Sequence, residues 1–287
     1  MLATFSIIFQ ITALSLAGKI IYVSRFSGND STTCGTPRQP CSTISYAIHQ
    51  ASEGSYIYID GTGTSKDPYS CQPPKTEYSV GIYLTKSISF VGIKSRAYVS
   101  CHHGNEWLVD GRVKHNHGLQ VSFKGLAFRN ASFRFFDVVL NANDCWFANS
   151  EHVTMNFTVS NLPMFDLNLK AVVFNKNKVC TSLKSKKRIK IRIHITNSTF
   201  IQNGPRESLL SSLSSILWLN TRKSKTNIHL RNCTFKDNKL GVDGMIYVEN
   251  SEGWTNLTFV HFKMEKNGRI NAISGIPNDL FTIHSPQ

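Results

Sequence analysis

One phrase recurs along this chain and constrains its fold more than any other feature. Close copies read LKAVVFNKN (169–177), ITNSTFIQN (195–203) and LRNCTFKDN (230–238), and each places an apolar residue, a phenylalanine and an asparagine at the same positions. Looser copies, two of which have their Asn one place early, complete a series centred on Phe128, Phe147, Phe174, Phe200, Phe235 and Met264. Spacings of 19 to 35 residues are close to those of solenoid proteins, in which consecutive units stack on one another.

A second phrase precedes the first within a unit. SSILWLN (214–220) lies upstream of NIHLRNCTF, and DGMIYVE (243–249) lies upstream of NLTFVHFKM. Several short strands per unit without a helix predict a parallel β-helix, in which each coil pairs with the next about 4.8 Å away. The phenylalanines should then stack inside the solenoid, with the asparagines at turns where a left-handed backbone is tolerated. The alternative is a β-sandwich in which the spacing is coincidental.

The N-terminal part predicts a cap for this solenoid. Residues 43–51 carry apolar side chains at helical spacing, and Ser42 or Thr43 can cap the helix. A helix at this position would seal the open end of the first strands, whose backbone groups lack partners. We therefore expect an all-β protein, a right-handed parallel β-helix of about seven coils with a short N-terminal capping helix, in which residues 18–75 form the cap region and residues 76–287 the coils.

The first 17 residues predict a signal peptide. They are apolar and uncharged, and small residues at Ser15 and Ala17 suit cleavage after Ala17. An uncleaved anchor is the alternative, and no second apolar segment of about 20 residues follows. We expect a secreted, extracellular glycoprotein without a membrane span in the mature chain. Its sequons begin at Asn29, Asn130, Asn156, Asn197, Asn232 and Asn256.

The seven cysteines divide into two groups. Cys34 and Cys41 bracket a short Gly/Pro loop and could close a local disulfide, and Cys71 and Cys101 are the next candidates. The remaining three are Cys145, Cys180 and Cys233. The first and last of these stand two residues before a ladder phenylalanine, three coils and about 14 Å apart, which is beyond the reach of a disulfide. We expect both to be buried free thiols, and the pairing of Cys180 stays open.

Two sets of residues carry a family resemblance. CGTPRQPCSTISYAI (34–48), followed by GSYIYI (54–59), resembles the start of pectin-lyase-like right-handed β-helix proteins. The FxxN phrase, with its preceding strand, is similar to the repeat of polymorphic outer membrane proteins and related secreted animal proteins. The resemblance covers about residue 20 to the C-terminus and implies the β-helix fold. It leaves activity open, because this superfamily includes lyases, hydrolases, esterases and non-catalytic adhesins.

The residues that enzymes of this fold require are sparse. Such enzymes use clustered carboxylates, to hold Ca²⁺ or to act as acid and base on a glycosidic bond. The nearest acidic candidates are Asp137 and Asp144, and a turn aspartate is usually structural. A local histidine group lacks a matching set of metal ligands and is expected in an exposed loop: His102, His103, His115 and His117. We predict no catalytic residue, no metal and no cofactor.

The strongest functional candidate is an alternation of cations with isoleucines. Successive strand residues point to opposite faces, so the isoleucines should enter the core and the cations should form a row outside. That row, with the loop before it, comprises Lys184, Lys186, Lys187, Arg188, Lys190, Arg192 and His194. It suits a linear polyanion, although such a row can also serve only to keep an outer strand face soluble. The net charge of +14 favours anionic partners.

Three functions follow from these patterns. The first is a secreted, non-catalytic binding or adhesion module that recognises an acidic polysaccharide, or an extracellular matrix or cell-surface ligand, through the basic row. Nucleic acid is disfavoured because no aromatic residues alternate with the cations. The second is a polysaccharide-degrading enzyme of the pectin-lyase superfamily. The third is the N-terminal ectodomain of a larger receptor or matrix protein, because NDLFTI (278–283) aligns with the first strand of a new coil.

Overall fold

From the second strand onward, each strand pairs with the strand three places further along, always in parallel. A computed structural model describes residues 18–71, 81–101, 105–113, 118–204, 215–221, 224–239, 244–249, 253–267, 273–274 and 281–284. The predicted signal peptide and the local histidine group lie outside these residues. Pairing at a constant interval of three strands sorts the chain into three parallel sheets, here named A, B and C in the order in which the chain visits them.

Sheet A contains ten of the described strands. It comprises β1 (Ile20–Val23), β2 (Ser55–Asp60), β5 (Ile88–Ile93), β8 (Leu119–Lys124), β11 (Val138–Asn143), β14 (Met164–Lys170), β17 (Lys190–Thr196), β20 (Lys225–Arg231), β23 (Trp254–Val260) and β26 (Phe281–His284). Sheet B comprises β3 (Tyr69–Ser70), β6 (Ala97–Ser100), β9 (Leu126–Arg129), β12 (Trp146–Ala148), β15 (Val173–Asn175), β18 (Thr199–Ile201), β21 (Thr234–Lys236) and β24 (Lys263–Glu265). Sheet C comprises β4 (Ile82–Leu84), β7 (Trp107–Asp110), β10 (Phe133–Phe136), β13 (Val153–Val159), β16 (Val179–Ser185), β19 (Leu217–Asn220), β22 (Ile246–Glu249) and β25 (Ile273–Ser274).

The chain is a right-handed parallel β-helix, as the repeat predicted. Each A–B–C circuit is one coil, and the strands from β2 to β25 make eight coils, one more than expected. The first coil begins at β2, ahead of residue 76, where the coils were expected to start. The first coil is hard to recognise in the sequence because Tyr69 stands at the ladder position, where most later coils have phenylalanine. One α-helix, α1 (Ile44–Gln50), and a short 3₁₀ turn (Gly111–Val113) complete the described elements.

The ladder phenylalanines form a continuous stack inside the solenoid. They occupy the same register position on neighbouring strands of sheet B, from Phe128 to Phe235, and Met264 continues the column. Their ring centroids lie 4.5 to 5.3 Å apart with interplanar angles of 5° to 19°. Offset stacking of this kind adds to the burial of each ring. The stack therefore fixes the register of one coil on the next.

Buried asparagines form a second ladder. Each of them follows the residue that has the left-handed backbone conformation. The side chains of Asn177, Asn203 and Asn238 are buried, and each donates to the carbonyl of the ladder phenylalanine in the preceding coil and to the side chain of the next ladder asparagine. The positive φ angles belong instead to the residues just before them, such as Gln202 (φ 53°) and Asp237 (φ 52°). The expectation that the ladder asparagine supplies the left-handed residue is therefore wrong for these coils.

The coils with an early asparagine explain that variant of the phrase. Asn130 (φ 53°) and Asn149 (φ 59°) occupy the left-handed position themselves, and Ala131 and Ser150 take the ladder position. Asparagine tolerates the left-handed region better than most residues. The two forms of the phrase thus place one residue type in two roles, turn former or ladder member.

The N-terminal end is closed by a disulfide loop as well as by the helix. Thr43 caps α1 by accepting a hydrogen bond from the Tyr46 amide, and the helix packs its apolar side against β1 and β2. The free edge of β1 is bonded by the loop between Cys34 and Cys41, since the Tyr22 amide donates to Gly35 and the Cys41 amide donates to Tyr22. The helix was expected to seal this edge, but the loop supplies the backbone partners.

Both candidate disulfides are present, and the other three cysteines are buried thiols. Cys34 pairs with Cys41, and Cys71 pairs with Cys101 across the first two coils. Burial raises the pKa of the Cys145 thiol to about 12 and also raises the pKa of Cys180 and Cys233. A thiol is a nucleophile only as its thiolate, so these groups are inert packing residues.

Among the residues that the structure describes, no helix has both the length and the hydrophobicity needed to cross a membrane.

Candidate functional site

The strand that carries the basic row has the two faces predicted for it. In β17 the side chains of Ile191, Ile193 and Ile195 are fully buried in the core. Lys190 and His194 are exposed on the outer face of sheet A, because alternate residues of a strand point to opposite sides. The isoleucines anchor the strand and thereby hold the polar side chains in a fixed row.

The seven residues of the predicted row do not lie on one line. Lys190, Arg192 and His194 are on the outer face of sheet A, whereas Lys184 belongs to β16 on the outer face of sheet C. The exposed residues between them, 186–188, form the corner where the chain passes from sheet C to sheet A. The predicted row is therefore split over two faces, because the chain changes direction at this corner.

Arg192 is not a free cation. Its Nε and Nη2 donate to the two carboxylate oxygens of Asp166 on the neighbouring strand, at 2.5 and 2.6 Å. This hydrogen bonding raises the pKa of the guanidinium. A bidentate pair neutralises the charge locally and fixes the geometry of both groups. The available charge on this face must come from other residues.

The neighbouring strands supply that charge. Lys225 lies in register with Lys190, and Arg231 lies in register with Thr196. On the other side, Lys170 is the register partner of Thr196. The sequence analysis missed these residues because it read the basic row along one strand. An alignment on the ladder phenylalanines would have found Lys225, since Lys190 and Lys225 each stand ten residues before one.

The outer face of sheet A over β14, β17 and β20, here called the basic face, is a two-dimensional array. Neighbouring strands are about 4.8 Å apart, and alternate residues along a strand are about 6.7 Å apart. Its outward residues carry five lysines or arginines and one carboxylate, that of Asp166. The array therefore presents positive charge in two directions, along a strand and across the coils.

A histidine pair lies in the middle of the basic face. The rings of His194 and His229 are register partners with centroids 6.0 Å apart. The pKa of His229 is below its usual value because the ring is partly buried and because His194 and Arg231 add positive charge beside it. The His229 ring therefore takes up a proton only at a lower pH than an ordinary histidine.

An exposed aromatic residue borders the basic face. Trp254 on β23 is the next register partner after Lys190 and Lys225, and 42% of its surface is exposed. A large exposed indole beside cations is typical of a binding surface rather than of a solvated one. The same alignment on the ladder residues would have found Trp254, which stands ten residues before Met264.

The carboxylates singled out in the sequence are structural. Asp137 lies at a C-to-A corner with φ 51°, and its Oδ1 accepts the amides of Ser160 and Asn161 at 2.6 and 3.0 Å. Asp144 lies at an A-to-B corner with φ 51° and forms an ion pair with Arg96. The two carboxylates flank opposite ends of β11, so they do not converge on one site.

One cluster of metal-ligating residue types occurs in the described part of the chain, and it cannot hold a metal. It consists of Asp30, Cys34 and Cys41, but the two sulfur atoms are joined in a disulfide. Asp30 is itself engaged, because its carboxylate accepts the backbone amides of Ser42 and Thr43 at the start of α1. The group therefore stabilises the N-terminal end and offers no thiolate to an ion.

The sequon asparagines differ in exposure. Asn29, Asn130, Asn197 and Asn232 are exposed, and Asn156 and Asn256 are partly exposed. Asn232 Nδ2 donates to Asn197 Oδ1 at 3.0 Å, so these two side chains lie beside each other on adjacent coils. Each sequon asparagine thus lies at an outer strand position, at a bend or in a loop.

The strand pairing and sheet order define the class of protein by its fold alone, which is a right-handed parallel β-helix. No protein-family model matches the chain. No curated protein matches it either. Among solved structures, a rhamnogalacturonan lyase has 10% sequence identity and a TM-score of 0.30, over 84% of this chain and 73% of that chain. A likeness at this level carries no argument about activity.

Proposed function

We propose that this protein is a secreted, non-catalytic module that binds acidic glycans of the extracellular matrix or cell surface on its basic face. The observation that carries the proposal is the array of five lysines and arginines around a histidine pair, with Asp166 as the single carboxylate among the outward residues of its three strands. A linear polyanion can meet such an array repeatedly, and each contact is weakened by salt. The two disulfides fit an extracellular location.

The competing explanation is that these cations only keep an outer sheet face soluble. Three features favour a binding surface. Five of the face's side chains carry fixed positive charge and a single one opposes them, whereas a merely solvated face usually mixes both signs. The histidine pair is held on a rigid sheet, and Trp254 adjoins the lysine column. Rigid side chains lose less conformational entropy on binding than flexible ones.

The test compares two charge-matched variants on a sulfated-glycan column eluted with a salt gradient. Lys190→Ser/Lys225→Ser removes the lysine column of the basic face. Lys176→Ser/Lys178→Ser removes the same charge at the exposed B-to-C corner. Two exposed ion pairs of up to about 1 kcal/mol each correspond to a loss of at most roughly thirtyfold in affinity. We expect the first variant to elute at clearly lower salt than the parent, and the second to elute close to it.

Three outcomes would overturn the proposal. Equal shifts for both variants would mean that the column responds only to net charge. Elution of the parent itself at low salt would mean that the face is only a solvated surface. A polyuronate lyase assay completes the comparison, because turnover by the parent protein would show that the module is catalytic.

A further inference from the structure

A second surface, on the outer face of sheet C, combines two aromatic rings with polar groups. Trp218 on β19 and Tyr247 on β22 are register partners on adjacent strands. Their ring centroids lie 6.1 Å apart and the rings are nearly parallel, at 15°. Both point outward, because Leu217, Leu219 and Ile246 on the same strands are buried in the core. Both aromatic side chains are partly exposed.

The aromatic stack ends at a small residue. On the side away from Tyr247, the register partner of Trp218 is Ser182 of β16. A serine side chain is too small to cover an indole ring. Of the residues in register with it, only Tyr247 therefore stacks on Trp218. Large, rigid aromatic side chains with polar edges are the residues that contribute most to recognition surfaces.

A polar group beside the rings lacks a hydrogen-bond donor. Asn220, two residues after Trp218, is only 8% exposed although it lies on the outer face. Its Nδ2 donates to Glu249 Oε2 at 2.6 Å. Its Oδ1 is buried and has no partner in the described part of the molecule. A buried acceptor without a donor costs roughly 1–3 kcal/mol, so a hydroxyl or amide that reached Asn220 Oδ1 would stabilise this site.

Charged groups complete the edge of the site. Glu249 is exposed and holds the Asn220 amide in place. Lys184 is the register partner of Asn220 on the other side, and it is exposed. The site thus presents a flat apolar surface, an unsatisfied acceptor, a carboxylate and an ammonium group. Because the two charges are opposite, a ligand here need not be charged.

We infer that Trp218 and Tyr247 form a platform for a neutral sugar ring of a glycan. The C–H face of a pyranose packs on the indole, one ring hydroxyl donates to Asn220 Oδ1, and further hydroxyls meet Glu249 and Lys184. A sugar has both an apolar face and a rim of hydroxyl donors, which is the combination that these residues present. An apolar peptide side chain would satisfy the rings but would leave Asn220 Oδ1 without a donor.

This platform is separate from the basic face, and binding to it should respond differently to salt. The two surfaces lie on different sheets, on either side of the corner at residues 186–188. Binding at the basic face weakens as salt rises, whereas binding by ring stacking and neutral hydrogen bonds persists at about 1 M salt, where the Debye length is about 3 Å. Each proposal can therefore fail without the other.

The experiment measures tryptophan fluorescence at high salt while cellotetraose, chitotetraose and mannotetraose are added separately. We expect at least one of these neutral probes to bind the parent protein. Trp218→Ala should weaken that binding at least tenfold, and Asn220→Leu should weaken it as well. Tyr83→Ala is the matched control, because it removes an exposed aromatic side chain from the far end of the same sheet C, and it should bind like the parent. Trp218→Leu replaces the alanine variant if the latter does not fold.

Three results would overturn the inference. The first is that none of the three probes binds. The second is equal binding by the Trp218 variant and the Tyr83 variant. The third is binding that disappears at high salt or in Lys190→Ser/Lys225→Ser, which would assign the probe to the basic face.

Discussion

The asparagine ladder makes a quantitative prediction about stability. In the structure, Asn203 Oδ1 accepts the Asn177 amide at 3.0 Å, and its Nδ2 donates to the Phe174 carbonyl at 2.9 Å and to Asn238 Oδ1 at 3.1 Å. The substitution Asn203→Ala removes these bonds and leaves the backbone amide of Asn177 buried without a partner. Such an orphan costs roughly 1–3 kcal/mol and each of the two lost Nδ2 bonds contributes roughly 1 kcal/mol, so we expect a loss of about 4 kcal/mol in the free energy of unfolding.

The assay is urea unfolding followed by circular dichroism, with the neighbouring residue as control. Gln202 is exposed and has φ 53°, a conformation that glycine adopts at no steric cost. Gln202→Gly should therefore stay within about 1 kcal/mol of the parent. A loss below about 1 kcal/mol for Asn203→Ala, with an unchanged m-value, would refute the reasoning, because it would mean that water replaces the ladder bonds without cost.

Three further predictions concern the histidine pair and the cysteines. The pKa of His229 is lowered in the folded protein, so the unfolded chain binds this proton more readily. The free energy of unfolding should therefore fall as the pH drops through about 6.5. His229→Gln should flatten this pH dependence, which urea titrations at several pH values would measure. The three free thiols should not react with a thiol reagent until the protein unfolds, and fast labelling of the native protein would contradict their burial. Replacing Cys71 and Cys101 by serine opens a loop of 30 residues, and the chain-entropy model gives a loss of about 3.6 kcal/mol in the free energy of unfolding. The same model gives about 2.4 kcal/mol for the bridge between Cys34 and Cys41, whose sequence separation is 7. Equal losses for the two bridges in thermal or urea unfolding would contradict this model.

The fold was largely predictable because the solenoid repeats its physical demands once per coil. Every coil needs a large apolar residue at the same inward position, so the recurrence of Phe174, Phe200 and Phe235 is enough to predict the stack. The Cys34–Cys41 disulfide and the helix at 44–50 followed from local spacing, whereas Cys71 and Cys101 were only the next candidates along the chain. The left-handed residues were harder to assign, since a ladder asparagine and a turn asparagine differ by one position and look alike in the sequence.

The candidate site was predicted only in part. The alternation in β17 correctly gave one buried and one exposed face. It could not show that Asp166 would neutralise Arg192, because the two residues are 26 positions apart and meet through strand pairing. It also grouped Lys184 with Lys190, although a corner of the coil turns them onto different sheets.

The architecture of this protein follows from its amino-acid sequence alone, whereas the residues that share a surface are set by the tertiary structure. Architecture arises from a local pattern, because one period of strands and turns is enough to specify how coils stack. Surfaces do not, because coils of unequal length bring distant residues into register. Lys190 meets Lys225 across one such interval, and Trp218 meets Tyr247 across another. Only the pairing of whole coils, driven by burial of their shared core, creates those two faces.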